Sequence, residues 1–215
     1  MLELTPDELL TTTRTVRKRL DFEKPVPRRL VEECLAIAFQ APNGGNMNGW
    51  RWIAVDDRAT IGELARLYNR GLEDFIATFG EAGYPGANVP GADRIESSTA
   101  HLRANFHRAP VVLVPLIAGR TDGGANVFFQ ASQWGSIVQA IWSFMLALRA
   151  RGLGSAWTTG HLWRERETAE LLGIPHAHFM QTGLFPVAYT LGTKFEPAHR
   201  KPVSEVVRWN RFEAA

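Results

Sequence analysis

The chain has a single cysteine, Cys34, in 215 residues, so no intrachain disulfide can form. It has no long apolar run either. The longest, Ile137 to Leu148, holds twelve residues with Gln139 and Ser143 among them, short of the roughly 20 that a bilayer-spanning helix needs. Net charge is nearly absent: 24 Lys and Arg against 22 Asp and Glu leave +2, too little to attract nucleic acid by bulk charge. No charged-then-apolar leader opens the sequence, and the expected compartment is the cytoplasm. Chemical motifs are missing too. Gly152-Leu153-Gly154 lacks the third glycine of a dinucleotide fingerprint and follows a helix pattern, so no separate nicotinamide domain is expected. There is no Walker loop and no Gly-x-Ser-x-Gly nucleophile elbow. His176-Ala177-His178 has no accompanying carboxylate or cysteine, so no metal site is expected. Cys34 falls on the apolar face of its helix, as a packed thiol does.

What remains is enough for a folded core: 45% apolar and 21% charged residues, near the globular average, in a length that suits one domain over 1–215. Thr5-Pro6-Asp7-Glu8 reads as the start of a short helix ending near Thr13. Apolar residues at 31, 34, 35 and 38 predict an amphipathic helix over Arg29 to Gln40. Ala41 to Gly49, with three asparagines, three glycines and a proline, reads as a loop before a strand at Trp50 to Val55. Helices follow over about Ala59 to Phe79 and Ile95 to His107, separated by a Gly/Pro-rich, lid-like excursion at about 80–95. The Val-Val-Leu-Val run predicts a buried strand within Pro110 to Ala118. Ser132 to Ala150 predicts a helix apolar all round, hence buried on every side, which in so short a chain calls for a second subunit. A helix at Trp163 to Leu172 and a strand over Thr182 to Thr193, with Pro186 inside it, complete the pattern. Helices alternate with three strands, which predicts an α+β fold of three α/β/α layers around a small central sheet.

Three segments offer groups suited to a planar anionic ligand. Arg14-Thr15-Val16-Arg17 places two guanidiniums and a hydroxyl where they could hold a phosphate. In the Ala41 to Trp50 segment, glycines permit close backbone approach and amides can pair with a heterocycle edge. His199-Arg200-Lys201-Pro202 is a basic patch near the C-terminus. Taken one at a time, these read more simply as a solvated basic face, a helix-to-strand turn and a surface patch.

Together, in this order and spacing, they resemble the flavin-dependent nitroreductases. Members typically begin with Arg-Ser-x-Arg, matched by Arg14 to Arg17 with threonine for serine. They continue with Ala-Pro-Ser/Thr-Gly-x-Asn-x-Gln-Pro/Gly-Trp, matched at Ala41, Pro42, Gly44, Asn46, Gly49 and Trp50, with Asn43 and Asn48 departing from it. Leu146 to Ser155 looks like the family's Leu-Ala-(x)3-Gly-Leu-Gly-Ser with one extra residue, and Arg200-Lys201-Pro202 supplies a closing basic-x-Pro.

The resemblance implies an intertwined homodimer with FMN at the subunit interface. It implies a phosphate held by Arg14, Thr15, Arg17 and Arg200, and flavin and ribityl contacts from Pro42, Asn43, Gly44 and Asn46. Asn48 stands where the family's glutamine bonds the ring, one methylene shorter, and Thr158, Thr159 or Gly160 would turn a backbone amide to the flavin. The implied activity is hydride transfer from NADH or NADPH to a nitroaromatic, quinone or similar small acceptor, by a ping-pong scheme. FMN carries that chemistry and no side chain serves as catalyst. Two alternatives stay open: reductive dehalogenation or flavin destruction on the same fold, and flavin binding or storage without turnover. No nucleic acid or membrane partner is expected.

Overall fold

The computed structural model describes residues 1–80, 91–124 and 126–212. Most of the lid-like excursion, 81–90, lies outside the described residues. α1 (Pro6–Thr12) starts at a complete capping box: the Glu8 amide donates to the Thr5 hydroxyl and the Thr5 amide to the Glu8 carboxylate. α2 (Arg28–Ala38) buries Val31, Cys34 and Ala38, the stripe seen in the sequence. α3 (Arg58–Phe79) is capped by Asp57, whose carboxylate accepts from the Thr60 amide at 2.7 Å. α4 (Ala92–Asn105), α5 (Val127–Ala150), α6 (Glu165–Leu172) and the single turn α7 (Val203–Val206) follow.

Among the described residues the sheet has six strands, against the three expected. β2 (Trp50–Val55) and β3 (Val111–Ala118) agree with the sequence reading, and β6 (Phe185–Thr190) is the core of the predicted last strand. β1 (Leu20–Asp21), β4 (Leu153–Ser155) and β5 (Phe179–Gln181) are only two or three residues long, too short for any alternation to register. All described pairings are antiparallel. β3 pairs with β2 along one edge. Along the other it pairs with β6 over Val111 to Leu113 and with β5 over Leu116 to Ala118. Pro115, which has no N–H, sits at that handover.

Strand alternation sends residues to two cores and so makes three layers. Val112, Val114 and Leu116 of β3 join Leu64, Tyr68, Leu102 and Phe106 on the side of α3 and α4. Val111, Leu113 and Ile117 join Cys34, Ile141, Phe144 and Leu148 on the side of α2 and α5. Each fully buried side chain of this size stabilises the fold by about 1.5–3 kcal/mol.

α5 begins earlier than predicted, because Asn126 caps it by accepting from the Phe129 amide. It is also not buried all round within the single chain: Val127, Phe128, Phe129, Val138 and Trp142 are exposed, while Ile137, Ile141, Phe144 and Leu148 are buried. Among the described residues, no helix is long and apolar enough to cross a membrane.

Candidate functional site

A cavity of about 300 Å³ opens on the α3 side of the sheet, lined by Arg17, Tyr68, Leu72, Phe75, Thr99, Trp157 to Gly160 and Trp163. Tyr68, Leu72 and Phe75 recur at helical spacing on α3 and present one wall. Trp157 to Gly160 form the opposite rim, leaving β4 and returning to the sheet through reciprocal bonds of Thr158 with Leu184, N to O at 3.1 and 2.9 Å. Trp157 is fixed by its indole N–H, which donates to the Thr182 carbonyl at 3.0 Å, and the Thr158 hydroxyl donates to the Leu184 carbonyl at 2.7 Å. That leaves Thr159, which is exposed, as the threonine side chain of the rim available to a ligand.

The rim is locked onto α3 by shape and by charge. A Cβ on Gly71 would stand 2.0 Å from the Gly160 carbonyl oxygen, and one on Gly160 would stand 2.7 Å from Leu72 Cγ. The absence of a side chain at Gly71 lets the Gly160 carbonyl approach α3, and its absence at Gly160 makes room for Leu72 and Tyr68. Just beyond, Arg164 grips Asp74 of α3 with two bonds of 2.5 and 2.8 Å, and the same guanidinium reaches Glu167 at 3.0 Å.

Two polar groups of the cavity are uncommitted. The Arg17 guanidinium enters no ion pair or hydrogen bond among the described residues, and Thr99 Oγ1 is buried with no partner. Aromatic walls, a free cation and an unsatisfied hydroxyl together suit a planar heterocycle with acceptor atoms on its edge.

Behind the rim lies a partly buried polar cluster. Arg120 donates to Asp122 and Glu165, both at 2.7 Å, and to the Phe179 carbonyl. Glu165 also accepts from the Gln181 amide. Burial pushes the Glu165 carboxyl up, but Arg120 and the Gln181 N–H outweigh it and hold the group below its ordinary value. His161 is fully buried, and burial pushes its imidazole down to about 3 against the opposing pull of Glu165 and Gln181. This histidine is therefore neutral at physiological pH. Cys34 is packed in the α2 face as expected, and burial raises its thiol to about 11.

The Asn-rich segment makes a different structure, on the other side of the sheet. It turns through a short 3-10 element, Gly44–Asn46, and rests on α5 through the Gly44 amide, which donates to Ser136 Oγ at 2.8 Å. Asn46 and Asn48 have φ of 52° and 50°, a left-handed conformation that asparagine adopts more readily than other non-glycine residues. Asn43 and Asn48 are bonded to each other: the Asn48 amide donates to Asn43 Oδ1 at 2.9 Å and Asn43 Nδ2 to Asn48 Oδ1 at 3.3 Å.

The description of the nitroreductase family matches this chain over residues 10–189, from the Arg14 segment to the end of β6. The chain belongs to the nitroreductase family. Its relatives in the family differ in chemistry. It is 28% identical over 200 residues to NADH dehydrogenase of Thermus thermophilus, covering 86% of this chain and 87% of the relative. It is 30% identical over 158 residues to 5,6-dimethylbenzimidazole synthase of Rhodospirillum rubrum (71% and 68%). Iodotyrosine deiodinase of Thermotoga neapolitana is 27% identical over 206 residues (95% and 97%). The same fold is seen in a solved iodotyrosine deiodinase bound to FMN and 3-iodo-L-tyrosine, with TM-score 0.70, 23% identity and coverage of 96% and 99%. It is seen again in the FMN and NADPH-dependent nitroreductase NfnB of a sphigopyxis strain, with TM-score 0.66, 22% identity and coverage of 97% and 100%.

Of the nitroreductase positions expected from the sequence, the fold gathers Arg17, Thr158, Thr159 and Gly160 around one cavity. Arg14 and Thr15 sit beside Arg17 in the chain. The Arg14 guanidinium donates to the Glu196 carbonyl, and Arg19 donates to the carbonyls of Leu191 and Lys194, so the C-terminal stretch is drawn toward the Arg14 segment. Arg200 itself is exposed, bonded to the His199 carbonyl and outside the cavity lining. Pro42, Asn43, Gly44, Asn46 and Asn48 are not brought to this cavity within the single chain. The aromatic wall of Tyr68, Phe75, Trp157 and Trp163 was not foreseen. Its only trace in the sequence is the 68, 72, 75 spacing, which is indistinguishable from a core stripe.

Proposed function

We propose that the chain is an FMN-dependent oxidoreductase that works as a cytoplasmic homodimer. It takes hydride from NADH or NADPH and passes it to a nitroaromatic, quinone or related acceptor. The observation that carries this reading is the cavity that combines the unpaired Arg17, the unpartnered Thr99 hydroxyl and the Thr159-Gly160 rim with four aromatic rings. FMN, when bound, supplies the acceptance and release of hydride. The chain's own part is to hold and screen it. Arg17, expected from the resemblance at the phosphate, would with Thr99 address the polar edge of the ring instead, the rim locked on α3 would support it, and Arg14, Thr15 and Arg200 would meet the phosphate, whose charge is about −2 near neutrality.

The Pro42 to Asn48 loop lies with α5 on one side of the sheet, and the cavity lies with α3 on the other. In the dimeric reading, the loop serves the partner's cofactor, and the exposed Val127, Phe128, Phe129 and Trp142 of α5 are covered by the second copy. Donor and acceptor then use one cavity in turn, which is a ping-pong scheme, and the whole of 1–215 acts as one domain.

Reductive dehalogenation is the second reading, favoured by the deiodinase relative that matches almost the entire chain. The deciding experiment offers the reduced protein a nitroaromatic, a quinone and 3-iodotyrosine under anaerobic conditions. Faster reoxidation by the nitroaromatic or quinone is expected. Faster reoxidation by iodotyrosine with iodide release would replace this reading with the second.

A further inference from the structure

Arg149, in the last turn of α5, is 6% exposed, yet its Nε and Nη1 have no hydrogen-bond partner among the described residues. Its Nη2 reaches only the Thr12 hydroxyl, at 3.3 Å, a neutral group whose own proton goes to the Glu8 carbonyl. Ser155 Oγ, on β4, is likewise buried without a partner. Both residues line one small cavity with Thr12, Thr13, Arg14, Val16, Gly154 and Phe195, separate from the cavity at Arg17. A buried guanidinium with two idle donor nitrogens beside an idle hydroxyl is an uncompensated charge, which proteins rarely leave so.

No other described residue nearby compensates it. Arg14, Arg19 and Arg149 enter no ion pair with a carboxylate among the described residues. Glu8 is spent on the Thr5 cap, and Glu196 is exposed and turned to Lys194. The Phe195 ring faces two cations at once, Arg19 at 4.0 Å and Arg149 at 4.9 Å, so its quadrupole is shared. The α5 C-terminus contributes about half a negative charge at most. Burial and the neighbouring Arg19 both push the Arg149 guanidinium below its ordinary value, as expected of a cation with too little compensation.

We propose that Arg149 and Ser155, closed over by the end of α1 and Phe195, form a binding site for a single-atom monovalent anion of the chloride class. The cavity gives a water-sized centre only about 10 Å³ in which to move, a size that suits a single-atom anion better than a tetrahedral phosphate. Arg149 donates two N–H groups to the anion and Ser155 its hydroxyl. The anion thereby ties α1, α5 and β4 together beside the Arg14 segment.

The test is thermal unfolding of the flavin-loaded protein in sodium chloride, bromide, gluconate and sulfate at matched ionic strength, repeated for Arg149→Met and Ser155→Ala. Chloride and bromide are expected to raise the midpoint by about 4–8 °C between 1 and 200 mM, the rise that a dissociation constant of about 5 mM gives for a chain of this size. Ser155→Ala should weaken halide affinity by about five- to tenfold, and Arg149→Met should abolish the halide dependence. If Arg149→Met does not fold, Ser155→Ala and a bromide-soaked crystal decide, with an anomalous peak expected between Arg149 and Ser155. Equal stabilisation by gluconate and sulfate, no halide dependence in the wild type, or a water or a partner's carboxylate in the bromide position would each overturn the proposal.

Discussion

Two glycines of α3 make a matched pair for testing how the cavity rim is held. A Cβ added at Gly62 would meet nothing within 4 Å, whereas one at Gly71 would meet the Gly160 carbonyl oxygen at 2.0 Å, its carbon at 2.9 Å and Trp163 Cβ at 3.3 Å. Both substitutions to alanine gain the same helix propensity, about 1 kcal/mol. Gly62→Ala should therefore stabilise the protein by about that amount. At Gly71 the gain is opposed by overpacking against backbone, which cannot rotate away, at a cost near the upper end of the roughly 1–3 kcal/mol range. The difference between the variants, in which propensity cancels, should be about 2–3 kcal/mol, or roughly 5–10 °C in melting midpoint. Urea and thermal melts of the two variants measure it. The same displacement moves Thr159 and Gly160, so FMN affinity should fall about tenfold or more in Gly71→Ala and stay unchanged in Gly62→Ala. Equal stability of the two variants, or full FMN affinity in Gly71→Ala, would refute the claim that this contact sets the rim.

Other expectations follow from the charges. Arg14→Ala and Arg200→Ala should each weaken FMN binding about ten- to a hundredfold, the loss of one charge-assisted phosphate contact, measured by flavin fluorescence on titration. Between pH 6.5 and about 3 the unfolded chain holds one more proton on His161 than the folded chain does. That contribution to stability is complete above pH 6.5 and is lost as pH falls, with a slope of up to about 1.4 kcal/mol per pH unit. His161→Gln should flatten the acid side of a stability-versus-pH curve. An unchanged curve would mean that the imidazole is not held neutral.

Much of the architecture was legible because it is periodic or punctuated. The capping box at Thr5, the stripe of α2 and the bounds of β2 could be read from residue type and spacing alone. β1, β4 and β5 could not, because strands of two or three residues are made by their partners and not by their own pattern. Which side of α5 its own chain leaves exposed was not legible for a related reason: an apolar surface does not say whether its own chain or another covers it. Arg17, Asn46 and Gly160 were singled out by motif order, yet their division between two sides of the sheet is a property of topology. The Gly71–Gly160 contact joins positions 89 apart in the chain, and neither glycine is marked by its neighbours. Arg149 gave no signal at all, since its burial depends on Phe195 and Thr12 closing over it.

The central claim is that the Arg17 cavity serves a flavin which NAD(P)H can reduce. Its most direct test is the anaerobic absorbance spectrum of the purified, FMN-reconstituted protein during titration with NADH and with NADPH. The expected result is a yellow protein with one FMN per chain that bleaches with about one equivalent of at least one of the two nucleotides and regains its colour on adding a nitroaromatic or quinone. A protein that takes up no FMN, or that binds it and stays yellow with both nucleotides in excess, would contradict the claim.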